Sequence, residues 1–341
     1  MSHRSPRPPR IAAVHVRGGP AKRPDQNEGR GRLLNWIVEK VSFEAGWGRL
    51  DALLLPAGFF RLEVALGPLD SMARAQAIEG SAIAFECRKA AERLARSCGA
   101  LLVLGIDTRR AAKGFSGDQF MAAWRGDAIV GSARKVFPSA KDTAPAKKWP
   151  YLLFAADADD MARIVDLPSG GRALLLVCYD AFLFSEIARG PTSRRASMRW
   201  VADGQEHGRR TVSAERNGMI EKFEALVGRE KTTVALIAVH GFEQPGRDTR
   251  WQRHGIASAS SALGGGLAVG AAHYQEWLPD ADELDQSTLA SAGVGSGHLL
   301  QGLHRTAHKL AAKDALYVEV PGSPDLCAVV RLFQGRAVRG D

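Results

Sequence analysis

The sequence predicts an α/β fold with a mixed sheet. Short apolar runs, which are typical of buried strands, alternate with longer amphipathic segments, which are typical of helices. Such alternation indicates strands that are connected by helices on a largely parallel sheet. Two of the apolar runs, however, are separated only by Arg125-Gly126, a pair that favours a hairpin turn. Because a hairpin joins antiparallel strands, part of the sheet is expected to be antiparallel.

The elements of the first half follow from local signals. Leu33, Ile37 and Val41 recur at helical spacing and define one apolar face. Ser81 can cap the start of a second helix, and Gly99 can end it. In order, the predicted elements are a strand at Ile11–Val16, a helix at Leu33–Phe43, a strand at Leu50–Pro56, a helix at Ser81–Ser97, a strand at Ala100–Ile106 and the hairpin strands Gln119–Trp124 and Asp127–Ser132.

The second half contains more strands and one basic segment. Residues 187–231 are rich in arginine, and we interpret them as a basic helical insertion with a helix at Met219–Val227. This insertion is a solvated appendage, a lid over a pocket or a surface that binds a partner. The predicted strands of this half are Arg172–Tyr179, Thr233–His240, Gly266–His273, Ala315–Val320 and Ala328–Phe333.

Composition and charge exclude several classes of protein. The chain has 341 residues, of which 45% are hydrophobic and 24% charged, as in folded domains and unlike disordered or collagen-like chains. The net charge of +9 is compatible with binding to anionic partners such as nucleic acids. Much of the excess lies in residues 1–32 and 187–231, and residues 1–9 are predicted to be a basic flexible tail. Without a recognised motif, this charge does not predict nucleic-acid binding.

The cysteines and the apolar segments indicate the compartment. Four cysteines lie far apart, without the C-x-x-C spacing of a metal or redox site. This spacing favours a reducing, cytoplasmic environment. No signal peptide is evident, and no segment reaches about 20 predominantly apolar residues, so we expect no contact with a membrane.

Cys178 and Lys135 are the candidate catalytic residues. Cys178 directly follows the apolar run that starts at Arg172, which would place its thiol at the carboxyl edge of the sheet. A thiolate there could attack a carbonyl or nitrile carbon, although a cysteine at a strand end is more often a small core residue. Lys135 also follows a predicted strand and could favour the thiolate and stabilise an oxyanion, or it could be a solvated surface charge.

Histidines and glycines give weaker signals. His304 and His308 are spaced to share one helical face but lack the glutamate and the third ligand of a metal site. The glycines of residues 293–297 could bind an anion but lack a preceding strand. His240 and His273 follow predicted strands, so each either lines a pocket or is a core histidine. We therefore predict no metal and no cofactor.

The ordered landmarks resemble those of the carbon–nitrogen hydrolase (nitrilase) superfamily from about residue 10 to residue 186. The landmarks are an asparagine before the first helix, an apolar strand ending in proline, a strand ending in glycine, a lysine after a hairpin, and a strand reaching Cys-Tyr-Asp. They lie here at Asn27, Leu53–Pro56, Leu101–Gly105, Lys135 and Val177–Asp180, with Glu186 slightly beyond. The resemblance implies a nitrilase-like αββα sandwich with mixed sheets, forming a single domain over residues 10–335.

The resemblance also implies a Glu-Lys-Cys triad, of which one member is absent here. Cys178 would be the nucleophile and Lys135 the oxyanion stabiliser. The glutamate of the family's Pro-Glu pair is replaced by Ala57, which cannot accept a proton. Asp142, seven residues after Lys135, and Glu63, six residues after Ala57, are the candidate substitute bases.

Two functions follow from this pattern. The first is hydrolysis of a non-peptide carbon–nitrogen bond of the amide, nitrile or carbamoyl type, through a thioester on Cys178. The second is a catalytically impaired nitrilase-like protein that binds a ligand or a partner. Ala57 favours the second function, whereas the presence of both Cys178 and Lys135 favours the first. The resemblance also implies a small-molecule substrate and a homo-oligomer.

Overall fold

The computed structural model of the chain describes most of its residues. The described ranges are 7–44, 46–63, 71–108, 119–136, 158–185, 200–202, 205–207, 212–242, 247–275, 289–293 and 308–336. Asp142, Glu186, His304 and residues 294–297 of the glycine-containing segment lie outside them.

Two mixed sheets form the centre of the molecule. In the first sheet the strands follow the order β6-β5-β4-β2-β1-β16-β15, with β3 also paired to β4. Its central strands β1, β2 and β4 are parallel, whereas β5, β6, β15 and β16 are antiparallel to their neighbours. These strands are β1 (Arg10–Arg17), β2 (Ala52–Leu54), β3 (Phe60–Leu62), β4 (Leu101–Thr108), β5 (Gln119–Arg125), β6 (Ala128–Arg134), β15 (Asp314–Val320) and β16 (Ser323–Gln334).

The second sheet has the order β7-β8-β11-β12-β13-β14, with β8, β11 and β12 parallel. The last residues of β12 pair with those of β1, which joins the two sheets at their carboxyl edge. The strands are β7 (Ile164–Asp166), β8 (Arg172–Val177), β11 (Val234–Ala238), β12 (Leu267–Tyr274), β13 (Ala290–Ala292) and β14 (His308–Lys309). A separate hairpin consists of β9 (Trp200–Ala202) and β10 (Gln205–His207).

Helices cover the outer faces of both sheets. The α-helices are α1 (Asn27–Phe43), α2 (Ser71–Glu79), α3 (Ala84–Cys98), α4 (Val212–Glu230), α5 (Arg247–Trp251) and α6 (Ala257–Ala262). A π-helical turn at Gln252–Ile256 joins α5 to α6, and a 3-10 helix at Cys178–Phe184 follows β8. None of the described helices is long and apolar enough to cross a membrane.

Two hydrophobic cores hold these layers together. Between the sheets, inward side chains of the first sheet such as Leu54 and Val103 share a core with Leu175 of β8. On the outer face of the first sheet, Ile37 of α1 and Leu94 of α3 belong to a second core. Burial of these side chains is the main favourable term in holding the layers in place. The layer order confirms the predicted αββα sandwich with mixed sheets.

Local boundaries correct three sequence predictions. The hairpin turn is at Gly126-Asp127, where Gly126 adopts a φ of 61° that only glycine accepts readily. Ser81 does not cap α3, because its hydroxyl donates to the Ile78 carbonyl and the N-cap is Ile83. His308 lies in a strand and not in a helix, because its backbone pairs with Ala292 of β13.

The carboxyl half of the predicted insertion contributes a layer of the sandwich. Helix α4 spans Val212–Glu230 and is longer than the predicted Met219–Val227. Its buried side chains, among them Ile220, Phe223 and Leu226, belong to the core that includes the second sheet. This helix is therefore packed against the domain through its apolar face.

Asp51 joins the amino end of the described chain to both sheets. Its buried carboxylate accepts two hydrogen bonds of 3.0 Å from the Arg7 guanidinium. It also accepts backbone N–H groups from Arg10, at 2.8 Å, and from Ser169, at 2.7 Å. Residues 7–9 of the predicted tail are thus held at the domain by a charge-assisted network.

Candidate active site

Cys178 occupies a strained position at the end of β8. It is the first residue of the 3-10 helix, and only 4% of its surface is exposed. Its φ of 49° lies in the left-handed region, which side-chain-bearing residues avoid at a cost of about 1 to 3 kcal/mol. Such strain is concentrated at functional sites, where it holds a reactive group in place. The sharp turn presents the thiol at the carboxyl edge of the second sheet, as predicted from the sequence.

His240 and Asp107 form an ion pair beside this thiol. His240 follows β11, and Asp107 is the penultimate residue of β4 in the opposite sheet. His240 Nε2 lies 3.0 Å from Asp107 Oδ1 and 3.2 Å from Oδ2. The side chain and the backbone of His240 lie close enough to the Cys178 thiol to lower its pKa. The three residues form a Cys-His-Asp constellation.

The charges at the site keep His240 protonated. Burial lowers the pKa of His240, but the negative charges of Asp107 and Cys178 and the hydrogen bonds to them outweigh this effect and raise it to about 10. Near neutral pH the ring is therefore an imidazolium. An imidazolium beside a thiol favours the thiolate, which is the nucleophilic form of cysteine.

Lys135 contributes a second positive charge. It directly follows β6 and is 6% exposed, so it is not a solvated surface residue. Its Nζ donates a 2.7 Å hydrogen bond to Gln119 Oε1 and lies 5.7 Å from the centre of the Tyr179 ring. Its charge also acts on Cys178. The structure thus brings together the two residues that the sequence singled out.

The environment activates Cys178 and not the cysteines on α3. Burial by itself raises the pKa of the Cys178 thiol, but Lys135 and His240 outweigh burial and lower that pKa below its ordinary value. The pKa of Cys87 is raised by burial and by the charge of Glu86. The pKa of Cys98 is also raised, mainly by burial. Of these three thiols, only Cys178 has surroundings that stabilise a thiolate.

Asp107 approaches the loop in which the resemblance places a glutamate. Ala57 is buried, and the next residue, Gly58, has a φ of 65°. A Cβ atom at Gly58 would lie 2.9 Å from Asp107 Oδ2, so this loop runs directly against the carboxylate. Glu63 is exposed, one residue beyond β3, and Asp142 lies outside the described residues. Among the described residues, Asp107 is a carboxylate that reaches the site, and it was not among the candidates predicted from the sequence.

The sequence contains a clearer signal for His240 than for Asp107. His240 follows an apolar run, and the sequence left open whether it lines a pocket or lies in the core. Asp107 comes one residue after the predicted end of the strand Ala100–Ile106, and a carboxylate there is the only local signal for it.

His273, at the end of β12, is fully buried, and burial together with the charges of Arg30 and His240 lowers its pKa well below its ordinary value. It is therefore neutral at pH 7.

The described residues contain no cluster of three or more His, Cys, Asp or Glu side chains that could hold a metal ion. A thiol, a histidine, a carboxylate and a lysine lie together at one edge of the sandwich. These are the types of group that nucleophilic catalysis uses.

The rate of Cys178 alkylation by iodoacetamide is expected to depend on pH in a specific way. The rate should rise through a midpoint below the ordinary thiol pKa of about 8.5, because Lys135 and His240 lower the pKa of this thiol. The thiolate–imidazolium pair should persist until His240 loses its proton near pH 10. Peptide mass spectrometry after timed labelling measures this profile at each cysteine. Labelling of Cys98 in the folded protein at an equal or greater rate would contradict the expectation.

Comparisons with known proteins give structural similarities only. The chain matches no family model and no curated protein. Among solved structures, it is similar to an amidase from Nesterenkonia sp., with 15% identity over 96% of this chain and 90% of that chain and a TM-score of 0.42. It is also similar to a double mutant of the amidase from Nesterenkonia sp. AN1 in complex with acrylamide, with 15% identity over 98% and 93% of the two chains and a TM-score of 0.42. A CN-hydrolase superfamily protein from Xanthomonas campestris, with an arsenic adduct in its active site, has 14% identity over 78% and 76% of the chains and a TM-score of 0.41. Identities of 14–15% and TM-scores of 0.41–0.42 do not establish a function. The function is therefore inferred from the side chains of this chain.

Proposed function

We propose that this protein is a hydrolase that cleaves a non-peptide carbon–nitrogen bond through a thioester on Cys178. The observation that carries the proposal is the Asp107–His240 ion pair beside a strained, buried cysteine. This pair supplies the acid–base group that Ala57 cannot supply. The order of the sequence landmarks supports a substrate of the amide, nitrile or carbamoyl type.

The first half of the reaction uses the thiolate–imidazolium pair. For an amide, the Cys178 thiolate attacks the carbonyl carbon, and the carbonyl oxygen becomes an oxyanion. The Lys135 ammonium stabilises this oxyanion electrostatically. When the tetrahedral intermediate collapses, the carbon–nitrogen bond breaks and His240 gives its proton to the departing ammonia or amine. The products of this half are a thioester, neutral His240 and the released amine.

The second half restores the enzyme. Neutral His240 takes a proton from water, and the resulting hydroxide attacks the thioester carbon. Collapse of the second tetrahedral intermediate releases the carboxylic acid product and leaves the thiolate beside an imidazolium. Asp107 keeps the ring oriented throughout, because it holds Nε2 at hydrogen-bond distance.

A catalytically impaired binding protein is the second candidate function. The presence of Ala57 in place of an acid–base residue favours it. A protein of this kind would retain the pocket and bind a small molecule without turnover. A homo-oligomer and a cytoplasmic location, which the resemblance and the cysteine spacing support, are compatible with both candidates.

Ammonia release from a substrate panel separates these functions. We expect the protein to release ammonia from at least one class among primary amides, nitriles and carbamoyl compounds, as measured by a coupled enzymatic assay. Acid quenching during turnover should trap an acyl group on Cys178, visible by intact-mass and peptide mass spectrometry. Ligand-induced thermal stabilisation without ammonia and without an adduct would favour the binding protein and contradict the hydrolase.

A further inference from the structure

A buried ion pair lies between the segments that carry Lys135 and Cys178. Arg163 is the last residue of a short 3-10 helix at Met161–Arg163, and Asp180 lies two residues after Cys178. Arg163 Nη1 is 3.5 Å from Asp180 Oδ2, and both side chains are fully buried. Burying two charges is expensive, so a pair of this kind is retained in a fold either for specific geometry or for function.

The pair is hydrogen-bonded to the backbone on both sides of Lys135. Arg163 Nη2 donates to the carbonyl of Arg134, the residue before the lysine. Asp180 Oδ1 accepts the backbone N–H of Val136, the residue after it, at 3.0 Å. The lysine backbone is therefore held from two directions by one ion pair.

The same pair is anchored on the cysteine side and on the outer helix. Arg163 Nη1 donates to the Leu175 carbonyl of β8 at 3.3 Å, three residues before Cys178. The guanidinium carbon of Arg163 lies 5.0 Å from the centre of the Phe223 ring on α4, in a cation–π contact. Contacts at Leu175 and Asp180 thus bracket the cysteine, as those at Arg134 and Val136 bracket the lysine.

We propose that Arg163 and Asp180 are positioning residues that hold the Lys135 ammonium at the distance from Cys178 at which it stabilises charge. The proposal rests on the proposed function, in which Lys135 acts on the thiolate and on the oxyanion. The place of the Lys135 charge is set at one end by the hydrogen bond from Nζ to Gln119 Oε1 and at the other by the backbone that the ion pair holds. In the proposed mechanism, neither Arg163 nor Asp180 contacts the substrate.

Asp180→Asn tests this proposal through the chemistry of Cys178, without any need for a substrate. The asparagine keeps the size of the side chain and an oxygen for Val136 but removes the charge that holds Arg163. We expect the midpoint of the iodoacetamide pH profile of Cys178 to move up by about one unit, so that alkylation below the midpoint slows about tenfold. Loss of a nearby carboxylate would by itself favour the thiolate and move the midpoint down. An upward shift therefore reports the displacement of Lys135.

A double-mutant cycle isolates the effect on Lys135. Lys135→Met should raise the midpoint, and Asp180→Asn should raise it no further in the Lys135→Met background. Arg163→Lys, which keeps the charge but cannot donate to as many acceptors, should shift the midpoint in the same direction as Asp180→Asn. Asp51→Asn is the matched control, since Asp51 is also a buried carboxylate bound by an arginine and by backbone N–H groups. It should leave the profile unchanged.

The outcomes separate this proposal from the proposed function. An unchanged or lowered midpoint in Asp180→Asn and Arg163→Lys would overturn the positioning role while leaving the hydrolase intact. A shift of equal size in Asp51→Asn, or a full further shift in the Lys135→Met background, would also overturn it. If Lys135→Met alone leaves the midpoint unchanged, the electrostatic role of Lys135 in the proposed function fails, and the positioning role fails with it.

Discussion

Replacement of Cys178 by alanine is expected to lower kcat for ammonia release by about 10⁶-fold, because no other described group can form the thioester. Alanine keeps the Cβ atom and the same backbone strain at φ 49°, so the fold should be retained. The coupled ammonia assay measures the loss, and acid quenching should no longer trap an acyl adduct.

Cys98→Ala is the control for this substitution. Cys98 is a free cysteine at the end of α3, where its sulfur contacts the Leu94 carbonyl at 3.3 Å within the same helix. Its removal should leave kcat unchanged. Retention of ammonia release in Cys178→Ala would exclude the thioester mechanism, whatever the substrate is.

Replacement of His240 by alanine is expected to lower kcat/KM by about 10²- to 10⁴-fold, the usual contribution of a positioned acid–base group. The variant loses the proton donor for the leaving amine and one of the two positive charges that lower the pKa of Cys178. Alkylation of Cys178 at neutral pH should therefore slow together with turnover. Timed iodoacetamide labelling measures the alkylation of Cys178, and the ammonia assay measures turnover.

His254→Ala provides the matched control, since His254 lies in the π-helical turn and is not assigned to the site. Asp107→Asn should be intermediate: the ring keeps a hydrogen-bond partner but loses the charge that raises its pKa to about 10. The upper limit of the pH–rate profile should accordingly move to lower pH in this variant. If His240→Ala has the full activity of the unmodified protein, an acid–base group other than His240 must serve the reaction.

Local hydrophobic patterns predicted the long buried strands more accurately than the short elements. The predicted strand Ile11–Val16 lies within β1, and the predicted strand Gly266–His273 overlaps β12 with a shift of one residue. These predictions succeed because strands that are buried on both faces have continuous apolar sequences. The prediction is less accurate for short elements. The strand predicted at Leu50–Pro56 is observed only over Ala52–Leu54. The helix α4 extends seven residues before the predicted start at Met219, since its apolar face is defined by contact with the second sheet.

The sequence by itself determined the fold class, the order of the elements and the choice of Cys178 and Lys135. These properties are local, because hydrophobic periodicity and position at the end of a strand can be recognised within a few residues. Only the tertiary structure decided which carboxylate and which histidine lie beside the thiol. Asp107 and His240 are 133 residues apart and meet because β4 and β11 end at the same edge of two facing sheets. That encounter depends on the packing of whole layers, which no local pattern encodes.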